Sequence, residues 1–444
     1  MDDPVRLEEQ LVDIAELCNR EALANGATAA ETGVSTSTGL SVTVRMRDVE
    51  TIEHIRDKSV GVTVYIGRRK GSASSSDFSA AALADTVKAA CAIARYTGED
   101  EYAGLADAAL MATEFPDLDL HHPWSVDAED AISIAKEMEA TARDADARIV
   151  NTEGATLGTH ETAHAYANSH GFVGARLSTR HSLSCVVIAQ DDAGMQRDYW
   201  YDTARCAGDM LAPAEIGRMA AERTVARLSP RRVETGTMPV LFSADIASSL
   251  FGHLIGAIRG GALYRKATFL LDRLDTQIFP AGFRIHEQPL LRRGAGSVAY
   301  DGEGVATRDR DIVNDGVLKG YVLSSYSARR LGLITTANAG GVHNLTIAPG
   351  GRSREQLIRQ MHRGLLVTEL MGMGVNTVTG DYSRGMGGYW IDGGEIQFPV
   401  EEITIAGNLK DMFMNIVAVG SDVDARGNTR TGSVLIDSMT VAGS

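Results

Sequence analysis

Apolar residues recur at helical spacing from Val5 to Asn25, and Gly26 supplies a C-terminal stop. From Thr28 to Gly67 the pattern changes to alternation, and "LSVTVRM" and "VGVTVYI" read as strands. Ser79 is placed to cap an Ala-rich helix running to Tyr96. A Pro-containing loop follows, and Ser125 is placed to open a second helix to Asp144. Strands return from Ala163 to Tyr201, joined by turns such as "NSHG" and "DDAG". A helix over Pro213–Leu228 closes this half.

"SPRRVETG" (Ser229–Gly236) breaks the apolar pattern with Pro, charge and Gly. It divides the chain into an N-terminal α/β domain over 1–228 and a C-terminal β-rich domain over 237–444. The second half opens with the strand "MPVLFS" and a helix from Asp245 to Ile258. Hairpins follow, turning at Asn314-Asp315-Gly316 and Asp392-Gly393-Gly394. Ser353 and Gln356 form a capping-box pattern. Strand runs and helix runs without regular βαβ alternation predict an α+β fold. The first domain combines helices with a sheet, and the second is largely antiparallel with few helices.

The chain has 444 residues, enough for two cores, and a formal net charge of −15. That field disfavours nucleic acid and anionic membranes as partners, because phosphate binding needs clustered Lys and Arg. The N-terminal "MDDPVRLEEQ" lacks the apolar core of a signal peptide, and no apolar run reaches spanning length. Cys18, Cys91, Cys185 and Cys206 have no CxxC spacing and read as reduced, mostly buried thiols. These features place the protein in the cytoplasm.

"HETAH" matches H-E-x-x-H at His160, Glu161 and His164, and His170 follows at the spacing of the longer zinc motif. On a helix the two histidines share one ion. On a strand they stand about 13 Å apart, too far for bonds of about 2.1 Å. Gly154 and Gly158 upstream and the "NSHG" turn downstream favour a strand. The match is therefore read as coincidence. Asp422-x-Asp424-x-Arg426-Gly427 fails as a calcium loop, with Arg at a ligand position. Ser383 in "GDYSRG" is out of register for G-x-S-x-G.

Longer strings are more specific. They include "LFGHLIGAIRGGALYRKATFLLDRL" (250–274), "ANAGGVHN" (337–344) and "VTELMGMGVNTVTGDYSRGMGGYWIDGGEIQFPVEEITIAGNLKDM" (367–412). With "NSHGF" and "STRHSLS", they closely resemble the TldD/PmbA family, also labelled modulator of DNA gyrase, across nearly the whole chain. The resemblance implies one of two branches. The TldD branch is a zinc peptidase with H-E-x-x-x-H on a helix and a C-terminal Cys ligand. The PmbA or TldE branch lacks those ligands and pairs with TldD. Here the motif positions fall on Ser248, Ser249 and His253, and no cysteine follows residue 206. One imidazole does not hold zinc against water, and no positioned base remains. His253 is expected to be a satisfied, partly buried histidine.

By this resemblance the chain is a subunit of a cytoplasmic heteromeric metalloprotease acting on short unfolded peptides. It is expected to hold no metal and to be catalytically silent alone, with zinc in a TldD-type partner. The alternatives are an autonomous zinc peptidase using His160, Glu161 and His164, which requires a helix over 159–168, and a non-enzymatic peptide-binding homodimer. Candidate substrate or partner residues are His343, Asn344, Asp381, Tyr382, Ser383 and Arg384, all placed in Gly-rich turns.

Overall fold

The computed structural model describes residues 4–443. In the first part, α1 (Pro4–Ala24) precedes β1 (Ala29–Arg45), β2 (Asp48–Ile66), β3 (Arg69–Ser75) and α2 (Ala80–Tyr96). Then come α3 (Ala128–Asp144), β4 (Ile149–Asn168), β5 (Val173–Asp191), β6 (Gly194–Ala204) and α4 (Pro213–Ala226). The strands form one sheet in the order β3-β2-β1-β4-β5-β6, antiparallel throughout. Even-numbered residues of β1 and odd-numbered residues of β4 carry the buried apolar side chains. Ala30, Val34, Ala163 and Ala165 meet α1 and α2, and Val42, Ala155 and Leu157 meet α3 and α4. Period-two alternation leaves the opposite face polar, with Glu31, Thr63, His164 and Arg176.

Two expectations change here. The helix over 128–144 is capped by Asp127, whose carboxylate accepts from the N–H of Asp130 at 2.8 Å; Ser125 lies outside it. The first two strands are much longer than the apolar segments suggested and run on to a tight turn at Met46-Arg47. Because β3 pairs only with Val60–Ile66, the outer edge of β2 before Val60 is bare. It is studded with charge (Glu50, Glu53, Arg56, Lys58), which discourages edge-to-edge association.

The second part runs β7 (Gly236–Phe242), α5 (Ala244–Ala257), α6 (Gly260–Tyr264), β8 (Ile285–Glu287), β9 (Arg310–Asn314) and β10 (Val317–Leu318). It continues with α7 (Ser325–Leu331), β11 (Leu345–Ile347), α8 (Arg354–Met361), β12 (Gly364–Met371), β13 (Asp381–Asp392) and β14 (Glu395–Asn408). α9 (Leu409–Met414), β15 (Ile416–Val419), β16 (Thr429–Arg430) and β17 (Val434–Ala442) complete it. One sheet has the order β14-β13-β12-β7-β17-β15, and β14 also pairs with β17, which closes a ring. A smaller sheet runs β10-β9-β8-β11-β16. Pairing is mostly antiparallel, with β7–β12 and β11–β16 parallel. α5 packs its Leu250, Phe251 and Leu254 into the larger core, while α8 covers Leu241 and Leu366. The fold is α+β. The capping box at Ser353 and Gln356 is present. No described helix is long and apolar enough to cross a membrane.

The two parts meet through specific polar grips. Arg329 donates to the carbonyls of Tyr102 and Gly104, both at 3.0 Å, and to that of Leu105. Arg426 reaches the carbonyl of Tyr201 at 2.7 Å. Phe172 and Tyr300 cross the seam edge to face, with centroids 5.1 Å apart.

Candidate functional sites

The "HETAH" segment lies inside β4, and the helix that an autonomous zinc site requires is absent. His160 stands opposite Gly39 of β1 and Arg180 of β5; His164 stands opposite Ser35 and Arg176. A Cβ at residue 39 would sit 2.7 Å from Nδ1 of His160, so glycine there lets the ring lie against β1. Glu161 points to the helix face and meets Nε2 of His121 at 2.6 Å. His170 sits in the following turn, its backbone N–H donating to Asn168.

Helix α5 carries Ser248, Ser249 and His253. The Ser249 hydroxyl donates back to the carbonyl of Ile246 at 2.7 Å. Both serines line a cavity of about 190 Å³ with Tyr201, Asp245, Asp424 and Asn428. The acidic groups there are already engaged. Arg426 forks onto Asp424 at 2.9 and 2.7 Å, while its guanidinium lies 4.4 Å from the Trp200 ring and 4.3 Å from the Tyr201 ring. Burial pushes the Asp424 carboxyl up, but the Arg426 hydrogen bonds outweigh it and leave the group below its usual range. Asp245 accepts from Ser243 at 2.5 Å and faces Arg223.

His253 departs from expectation. Its Nε2 is buried without a partner, and its ring lies 6.0 Å from that of Tyr382, whose hydroxyl is also buried and unpartnered. Burial, and then the nearby Arg384 charge, hold the imidazole below its ordinary pKa; burial pushes Tyr382 up to about 12. Zinc does not fit this donor set, which offers two hydroxyls and one neutral imidazole. Among the described residues, no group of three or more His, Cys, Asp or Glu is placed to hold a metal ion.

The remaining candidates separate. Asp381–Arg384 begin β13 rather than a turn, so Tyr382 points into the core while Asp381 and Ser383 are exposed. Asp381 is tied to Thr379 at 2.6 Å and to Asn408 at 3.1 Å. Asn344 is buried, accepting from the N–H of Gly296 and donating to the carbonyl of Gln288 and to Ser297. His343 is buried too, with Nε2 2.9 Å from the carbonyl of Ala337. It lines a different cavity, of about 580 Å³, between the polar face of the first sheet and two loops of the second part.

Models of the PmbA/TldA metallopeptidase match three stretches: domain 1 over 30–94, the central domain over 121–228 and the C-terminal domain over 235–443. The chain belongs to the PmbA/TldD metallopeptidase family. It is 49% identical to "Metalloprotease PmbA" of Escherichia coli O157:H7, covering 99% of this chain and 98% of the relative. It is 45% identical to a PmbA homologue of Haemophilus influenzae, with 93% and 92% covered. A crystal structure from Bacteroides thetaiotaomicron, described as a candidate modulator of DNA gyrase, superposes with a TM-score of 0.93 at 29% identity, over 97% of this chain and 98% of that one. TldE of Thermococcus kodakarensis shares the fold, with a TM-score of 0.84 at 19% identity, over 97% and 100%.

Within this PmbA/TldD fold the sequence reading missed Tyr201 and Asp245 around the α5 serines, and weighed Asp424 only as part of a failed calcium loop. Arg426 was noticed only as a residue that spoils a calcium loop. It also missed the larger cavity, whose lining comes from distant segments. Two buried groups there give an opposed pH response. Burial, with Arg176 adding to it, lowers His164 to about 4. Its unfolded form protonates first, so this contribution is intact above about 6.5 and is lost as pH falls toward 4, on the order of 3 kcal/mol. Burial raises Asp301 to about 6, so its contribution has the opposite sign: present at low pH and lost as pH rises through 6. His164→Gln is expected to remove the acid-side loss and leave stability falling from pH 4 to 6; urea midpoints across that range check it.

Proposed function

We propose that this chain is the PmbA/TldE-type subunit of a cytoplasmic two-subunit peptidase that processes short unfolded peptides, with zinc and the general base supplied by a TldD-type partner. One observation carries the reading: α5 presents Ser248 and Ser249 where a zinc peptidase of this family would need a ligand and a base. The Escherichia coli relative is a metalloprotease by name, which supports proteolysis as the process. The separation of strands supports two working units, 1–228 and 237–444, because no strand of the first sheet comes from beyond residue 204. His253, Tyr382 and Arg384 then serve the shape of the α5 site, and the exposed side chains of Asp381 and Ser383 are open to substrate or partner.

The test is elemental analysis and peptide cleavage, alone and with a TldD-type partner. The expected result is substoichiometric zinc and no cleavage alone, with cleavage on adding the partner. His160→Ala and Glu161→Ala are expected to leave both measurements unchanged. Near-stoichiometric zinc with activity alone, abolished by either substitution, would overturn the proposal.

A further inference from the structure

The cavity of about 580 Å³ at the seam is within the size of small-ligand sites, about 300–1,000 Å³. Glu31, Thr63, Lys70, His164 and Arg176 form its floor, on the polar face of the first sheet; Tyr300–Glu303 and Ala339–His343 form its roof. Tyr300 lies flat on β5 because residue 174 is glycine, where a Cβ would stand 2.6 Å from the ring.

The charges in this cavity are unevenly satisfied. Asp301 accepts from the N–H groups of Glu303, Val305 and Ala339, and Glu31 accepts from both Tyr65 and Tyr166. The cations have no such company. Among the described residues neither Arg176 nor Lys70 meets a carboxylate within ion-pair distance. Each instead lies over a ring, Arg176 5.8 Å from Tyr300 and Lys70 5.9 Å from Tyr65. Two further polar atoms are left open. Tyr300 is 3% exposed; the Arg176 guanidinium neighbours its hydroxyl, but among the described residues the hydroxyl proton has no acceptor and the buried Nδ1 of His164 has no partner. Buried polar atoms without partners inside a walled cavity are the mark of a place completed by a bound molecule.

We propose that this cavity binds the free carboxylate end of a short, unblocked peptide, with Arg176 pairing with the carboxylate and Tyr300 donating to it; Lys70 stands at the far end of the floor, on β3, with β2, β1 and β4 between it and Arg176. A multiply charged anion such as phosphate suits the cavity less well, because Glu31, Asp301 and Glu303 also line it. A zwitterionic peptide brings its own positive end for Glu303, which among the described residues accepts from one amide, that of Ser325. The choice of peptide rests on the function proposed above, but the binding belongs to this chain alone and needs no partner or zinc.

The experiment is calorimetric titration of the purified full chain with trialanine, its C-terminal amide and inorganic phosphate. Trialanine is expected to bind saturably, and the amide about tenfold or more weakly. Arg176→Gln is expected to weaken trialanine by a similar factor, and Tyr300→Phe by a smaller one. Equal binding of acid and amide, wild-type affinity in Arg176→Gln, tighter binding of phosphate than of trialanine, or no trialanine binding would each overturn the proposal. A failure of partner-dependent cleavage with this binding intact would instead count against the subunit reading alone.

Discussion

Replacing Glu287 with alanine is expected to lower stability by about 3–5 kcal/mol, the largest single loss in the second part of the chain. Glu287 is 1% exposed. One oxygen accepts from Nε of Arg310 at 2.7 Å, and the other accepts from the side-chain amide of Asn338 at 2.8 Å and the backbone N–H of His343 at 2.9 Å. Arg310 also donates to the carbonyl of Tyr321 and to Asn338. One carboxylate therefore ties β8, β9 and the Asn338–His343 loop together. Alanine leaves a nearly buried guanidinium without its counter-ion and two donors without acceptors. Glu287→Gln keeps the shape and one acceptor, and is expected to cost less. The shift in urea midpoint, with the slope unchanged, measures both. A loss under about 1 kcal/mol for alanine would show that the network does not hold the loop.

The second large effect is expected at Glu139, in the first part. This carboxylate is fully buried on α3 and accepts from the N–H groups of Met46 and Arg47 at 2.6 and 2.7 Å. Those two residues form the turn between β1 and β2 with φ of 55° and 70°. A two-residue hairpin turn of this hand ordinarily calls for Asn-Gly, because side chains with a Cβ resist positive φ. The carboxylate compensates by fixing both amides. Glu139→Ala is expected to cost about 2–3 kcal/mol, since hydrogen bonds to a charged group are worth more than neutral ones but water reaches part of this exposed turn. Adding Met46→Asn and Arg47→Gly is expected to recover part of the loss, by making the turn favourable on local grounds. Failure of the double change to recover any stability would show that Glu139 acts elsewhere than at the turn.

The same turn shows why part of the fold escaped a linear reading. "VRMRDVET" carries no Gly or Asn, so nothing local marks a reversal, and the group that imposes it lies 93 residues away. The cap of α3 was misplaced for a milder reason: Ser125 and Asp127 both suit the position, and only backbone direction after Trp124 chooses between them. By contrast α2, the capping box at Ser353 and the hairpin at Gly393-Gly394 are set by residues within one turn of each other, and all were legible. His253 was misjudged because hydrogen-bond satisfaction depends on which side chains arrive from elsewhere, here Tyr382 of β13.

Sequence by itself determined the α+β class, the strand character of "HETAH", the serines at 248 and 249, and the family. The first three rest on periodicity, local turn chemistry or the identity of single residues, and the family on the resemblance of long strings such as 367–412, all of which a chain carries without folding. Tertiary structure alone decided that Arg426 is sandwiched beside the α5 serines, that Asn344 is buried and bonded to Gly296, Gln288 and Ser297, and that Arg176 and Lys70 face a cavity with Tyr300. Those facts depend on contacts between segments far apart in sequence, 47 to 56 residues for Asn344 and more than a hundred for Arg426 and Arg176, and such contacts exist only once the sheets have formed and packed.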